Sequence, residues 1–133
     1  MYRVTEGNDA PYMSGPEYQL LDNRGHADGK SPLTSAGSAY GVYAPLKDKT
    51  KPVGEWNHSK IFVKGLHVEH WLNGEKLLSY DVGSDDWTKR VKASKWKDVP
   101  TYGRAMKGHI DLQDHGDVIS FRNIKIRPMP PGK

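Results

Sequence analysis

A chain of 133 residues, 35% of them hydrophobic, is long enough for one domain spanning 1–133, with a real but modest core. Its formal charge of +4 is mild and comes largely from the loop Lys47 to Lys51 and the segment Lys89 to Lys97, which reads as a solvated surface rather than a polyanion site. The absence of cysteine excludes disulfides, thiolate chemistry and cysteine zinc sites, and no apolar run approaches the length of a membrane span.

Gly and Pro are abundant, at 14 and 9. With many Tyr, Trp, Val and Ile they favour an all-β, loop-rich domain. Tyr2 to Glu6 reads as a short strand, with no leader pattern in front of it, and a polar loop follows to Ser14. Glu17 to Asp22 is extended, placing Glu17, Gln19 and Leu21 on one face and Tyr18, Leu20 and Asp22 on the other. Asn23 to Ser38 is a long loop without periodicity, of the kind that is functional or disordered in compact domains. Ala39 to Tyr43 is predicted as a brief strand, and a Lys-rich loop then leads to Trp56 and Asn57.

The central meander carries the strongest local signal. Ile61 to Val63 turns through Lys64-Gly65 into Leu66 to Leu72. Asn73-Gly74 tolerates the positive φ that a type I′ hairpin turn demands, and Glu75 to Val82 returns as the third strand. A two-residue loop places His70 opposite Leu77 and Trp71 opposite Lys76. Ser84 to Lys97 is the one expected helix: Ser84 caps it, Asp85 and Asp86 suit its positive end, and Lys92, Lys95 and Lys97 suit the other. Interleaved Trp and Lys can also serve single-stranded nucleic acid, but no RNA-module motif accompanies them, and no nucleic-acid partner is expected.

The stretch from Gly108 to Arg127 looks like the floor and wall of a site. On an extended strand Ile110 and Leu112 point one way, and His109, Asp111 and Gln113 the other. Asp114-His115-Gly116-Asp117 reads as a turn. Val118 to Ile126 is a second expected strand, whose alternation slips near Arg122-Asn123 and so predicts a bulge or strong twist there. There is no P-loop, dinucleotide fingerprint, HExxH, EF-hand or GxSxG pattern. His67 and His70 are close in sequence but fall on opposite faces of a strand, which argues against joint metal ligation.

Taken in order, GPEYQLLD (Gly15 to Asp22), SAYGVYAP (Ser38 to Pro45), GEWN (Gly54 to Asn57), HWLNG (His70 to Gly74) and GHIDLQDHG with FRNIKI (Gly108 to Ile126) resemble the 3-keto-disaccharide hydrolase domain family, DUF1080. The resemblance implies an antiparallel β-sandwich, a concanavalin A-like jelly roll with a sugar site on its concave sheet. It agrees with the many short strands and single short helix read from the residues. It also suggests an exported bacterial setting, although the sequence carries no targeting evidence of its own. Two departures stand out. Asp111 falls where the family pattern has a small residue, which adds a carboxylate near the expected site. The family domain also has several strands before the point matching Tyr2-Arg3, so this chain corresponds to its C-terminal two-thirds. Unpaired edges would then be left open, and a homo-oligomer that pairs or swaps strands is expected.

The resemblance further implies cleavage of glycosides oxidised to a ketone at sugar carbon 3. That ketone acidifies the hydrogen on C2, so a base can remove it, the C1 substituent leaves by elimination, and water adds back. Glu17 is the candidate base. His115, with Asp114 or Asp117 beside it, is the candidate acid, since histidine titrates near neutrality. Arg3, Gln19, Gln113 and Arg122 are candidates to hold sugar oxygens or the enolate, and Tyr40 and Trp56 to stack on the sugar ring. A two-carboxylate glycosidase using Glu17 with Asp114 or Asp111 is a variant of this reading. A non-catalytic, lectin-like carbohydrate-binding module is the alternative, because the fold is shared with lectins. No cofactor is called for. Calcium is conceivable for the oxygen-rich loop Asn23 to Asp28, but no ligand spacing supports it.

Overall fold

Asn73 and Gly74 take up φ of 51° and 84°, as a tight hairpin turn between right-twisted strands requires. They join β3 (His67–Leu72) to β4 (Glu75–Asp81), and β2 (Ser59–Lys64) pairs antiparallel on the other side of β3. A second antiparallel sheet joins β1 (Tyr2–Val4) to β5 (His109–Ile110). One helix, α1 (Asp85–Lys92), follows β4. The computed structural model describes residues 1–129, and over them the protein is an all-β architecture of the sandwich class, with two antiparallel sheets and a single α-helix.

Period-two alternation decides which face of the three-stranded sheet is covered. Val68, His70 and Leu72 of β3 are buried, while His67, Glu69 and Trp71 face outward. The outward side chains satisfy one another: Trp71 Nε1 donates to Glu69 at 2.8 Å, Lys76 reaches Glu69 at 3.2 Å, and His67 Nδ1 meets Asp81 at 2.8 Å. Against the covered face stands a column of stacked aromatic rings. Tyr43, Tyr80, Trp87, Tyr102 and Trp96 follow one another at centroid separations of 4.8, 5.1, 5.8 and 4.7 Å. Each such pair contributes about 0.5–1.5 kcal/mol beyond its buried area. The column ties β4, α1 and the segment after α1 into one core. Ser84 caps the helix by accepting from the backbone of Trp87 at 3.1 Å, which sets Trp87 in place as a column member.

The structure departs from the sequence expectations at five points. His70 pairs with Leu78, not Leu77, because a register shift lies between His70 and Trp71; Trp71 does face Lys76. The shift turns both Leu77 and Leu78 inward. The helix stops at Lys92, so Lys95 and Lys97 lie in the turns that follow it rather than at its end. The first strand stops at Val4. Ala39 to Tyr43 is a tight turn, with Tyr43 N donating to Ala39 O and Gly41 at φ 74° reversing the chain. It touches Glu17 to Asp22 through a single bridge, Tyr18 to Ala39.

The largest departure is the expected hairpin over Gly108 to Arg127. Only His109 and Ile110 pair with a strand, and Val118 to Ile126 joins none among the described residues. The turn at Asp114 does form: Asp114 accepts from Gly116 N at 2.9 Å, and Gly116 has φ 95°. Asn123 takes φ 55° at the point where the alternation slips. A strand pattern supplies one apolar face but not the partner that buries it. Here Val118, Ile124 and Ile126 stay 101%, 65% and 72% exposed.

Candidate active site

Glu17 leaves the backbone just after Pro16, whose carbonyl accepts from Tyr2 N at 3.3 Å. The turn at Ala39 to Tyr43 folds back on it, and Tyr40 N donates to Glu17 O at 3.1 Å. Trp96, the last ring of the aromatic column, donates from Nε1 to Tyr40 O at 3.2 Å. Each of these bonds is made by backbone or by a buried ring, so Glu17, Tyr40 and the segment around Trp96 are held together by the core itself.

The side chains here form a mixed-charge cluster. The Tyr40 hydroxyl donates to Asp28 at 3.1 Å. Lys95 Nζ lies 4.2 Å from the centre of the Tyr40 ring and 4.5 Å from that of Trp96. Burial pushes the Glu17 carboxyl above its ordinary range, and the Asp28 charge adds to the rise. The Met1 amino group, Lys95 and His115 pull in the opposite direction. Tyr40 is raised by burial first, then by its bond to Asp28 and the charges of Asp28 and Glu17. A half-buried carboxylate with a raised pKa beside a cation is an arrangement suited to moving protons.

The other expected site residues fall in several places. His115 lies within electrostatic reach of Glu17 but is exposed, on the turn after Asp114. Gln113 and Asp114 line a separate cleft of about 510 Å³ with Asp117, Ile119 and Phe121, and Glu17 is not among its lining residues. Arg122 stacks over the Trp56 ring at 3.9 Å, so these two meet each other. Arg3, at φ 55°, donates to Gly65 O at 2.5 Å and is thereby directed to the β2–β3 turn. Gln19 Oε1 accepts from Leu20 N at 3.1 Å, while its backbone joins Ser38 O at 3.2 Å. Asp111 exchanges backbone bonds with Met1 and is half-buried. Among the described residues no three His, Asp or Glu side chains cluster in a way that could hold a metal ion.

Two members of the Glu17 cluster were not read from the sequence. Asp28 lay inside a long loop without periodicity, and Lys95 read as a helix-end charge. The adjacent pair Lys95-Trp96 was the available signal, since a lysine beside an aromatic that is buried can be held over the ring system.

The 3-keto-alpha-glucoside-1,2-lyase-like domain family matches residues 1–127. A curated 3-keto-disaccharide hydrolase from Bacteroides thetaiotaomicron is 36% identical over 138 residues, covering 92% of this chain and 48% of that protein. A crystal structure of a candidate glycosyl hydrolase from Parabacteroides distasonis is 41% identical, with a TM-score of 0.70 over 79% of this chain and 52% of its own. The chain therefore spans about half the length of the relatives it matches.

Proposed function

The chain belongs to the 3-keto-alpha-glucoside-1,2-lyase-like domain family, and from that premise we propose that it cleaves 3-keto-glycosides by elimination and hydration, with Glu17 as the base. The observation that carries this reading is Glu17 itself: a half-buried carboxylate, raised by desolvation, set by backbone bonds against Tyr40 and within electrostatic reach of a lysine that lies over the Tyr40 ring. A raised carboxylate is a better base for a carbon acid than a fully solvated one, because its proton affinity lies closer to the working pH.

In this mechanism the Glu17 carboxylate takes the C2 proton. The C2–H electron pair moves toward the C3 carbonyl, giving an enolate oxygen. The enolate then collapses, forming the C1–C2 double bond and expelling the C1 oxygen, which takes a proton from His115. Water adds its hydroxyl to C1 and a proton to C2, giving the free 3-keto sugar. Tyr40 offers its ring to stack on the sugar, its hydroxyl held by Asp28. Arg3, Gln19, Gln113 and Asp114 are engaged elsewhere and are not assigned to this step, and Trp56 and Arg122 meet each other.

The test follows free sugar by NMR when a 3-keto-disaccharide is incubated with the protein and with Glu17→Gln. Release by the wild type, lost in the variant, is the expected outcome. Binding of the sugar without release by either protein would return the chain to a non-catalytic carbohydrate-binding module.

A further inference from the structure

Elimination from a 3-keto sugar passes through an enolate, and negative charge on oxygen needs a donor aimed at it before the reaction begins. Nothing in the base and acid roles of Glu17 and His115 provides one. Lys95 is a cation within electrostatic reach of Glu17. Its ammonium sits over the faces of both Tyr40 and Trp96, at 4.2 and 4.5 Å from the ring centres. Tyr40 N bonds Glu17 O, and Trp96 Nε1 bonds Tyr40 O, so the surface that carries the lysine is fixed to the backbone that carries the carboxylate.

Lys95 is also chemically free. Among the described residues, Lys47 and Lys49 are engaged with Glu75, Lys76 with Glu69 and Lys97 with Asp98. Lys95 makes no ion pair among the described residues, and its side chain is exposed. Ring faces alone hold a cation only weakly at an exposed position. That is enough to localise it, and too little to compete with a full negative charge on a nearby oxygen.

Building on the elimination reading above, we propose that Lys95 is the electrophilic catalytic residue of this site, donating from Nζ to the C3 oxygen of the substrate as that oxygen becomes an enolate. In the step itself no bond to lysine forms or breaks. Glu17 gains the C2 proton, the C3 oxygen gains charge, and the ammonium keeps its three protons while one of them bonds the enolate. The tyrosine and tryptophan rings serve to aim the ammonium rather than to bind the sugar alone.

The experiment measures steady-state cleavage of a 4-nitrophenyl 3-keto-α-glucoside by the full chain, by Lys95→Met, by Lys95→Gln and by Lys95→Arg. Circular dichroism of the aromatic bands checks that the ring column is intact, as expected for an exposed position. Loss of a preorganised donor to an oxyanion predicts a fall in kcat of about 10²–10³-fold in Lys95→Met and Lys95→Gln, with KM changed little and partial recovery in Lys95→Arg. An active wild type with Lys95→Met and Lys95→Gln within threefold of it, or a change confined to KM, would overturn the lysine assignment and leave the elimination reading standing. An inactive wild type would overturn both.

Discussion

His70 offers a direct test of how the core is built. It is fully buried, with Nδ1 donating to Gly37 O at 3.0 Å and Nε2 without a partner. Around it stand the rings of Tyr18, Tyr2 and Tyr80, at 4.7, 6.1 and 5.9 Å. A second proton on this imidazole would place an unpaired N–H and a charge among aromatic faces. Burial accordingly lowers its pKa from 6.5 to about 4, the bond to Gly37 O only partly opposing it. The unfolded chain therefore binds this proton more tightly than the folded one. Stability from His70 is complete above pH 6.5 and is lost as pH falls from there toward 4. At about 1.4 kcal/mol for each pKa unit, the gap corresponds to about 3 kcal/mol, a large share of a domain's stability. Guanidinium unfolding of wild type and His70→Phe at pH 7 and pH 4 isolates it, since the carboxylates contribute alike to both. The variant is less stable than wild type at pH 7, having lost the bond to Gly37, and the difference closes or reverses at pH 4. Parallel losses in the two proteins would show that His70 is already protonated or hydrated in the fold.

Glu17→Gln has two effects of opposite sign. Turnover falls by about 10²–10⁴-fold, the usual contribution of a general base. Stability at pH 7 rises, because a carboxyl with a raised pKa binds its proton more tightly when folded and so opposes folding once pH climbs past its folded pKa. Thermal melts at pH 4 and pH 7 check this: the gain is confined to the higher pH, and an equal gain at both would point to packing instead. The apolar face of Val118 to Ile126 predicts self-association through strand pairing. Sedimentation velocity should show a dimer that Ile124→Lys with Ile126→Lys shifts toward monomer; a wild type that is monomeric at micromolar concentration contradicts it.

The parts of the structure that sequence revealed are those governed by local chemistry. Asn73-Gly74 needs no tertiary contact to turn, and Ser84 needs only its own helix to cap. The register at His70 departs from simple counting because a bulge intervenes, and consecutive Leu77 and Leu78, both apolar, are the sign in the sequence that one strand face could not hold them. Val118 to Ile126 carries a strand pattern without a strand, because alternation states that a strand is possible, not that a neighbour is present to pair with it. Of the candidate cluster, Glu17 and Tyr40 can be picked out along the chain, but what joins them is a turn at Gly41 and a ring nitrogen of Trp96, the latter a contact across 56 residues that no local pattern encodes. Lys95 was hidden for the same reason, since its partners are ring faces supplied by two distant segments.

The central claim is that the C2 proton is removed, and deuterium reports on it directly. A 3-keto-disaccharide is incubated with the protein in deuterium oxide, beside a protein-free control, and the released 3-keto sugar is examined by NMR. Elimination and hydration predict deuterium at C2 of the product in step with release, with both lost in Glu17→Gln. Release of sugar that keeps its original C2 proton would mean direct displacement at C1, and would contradict the account.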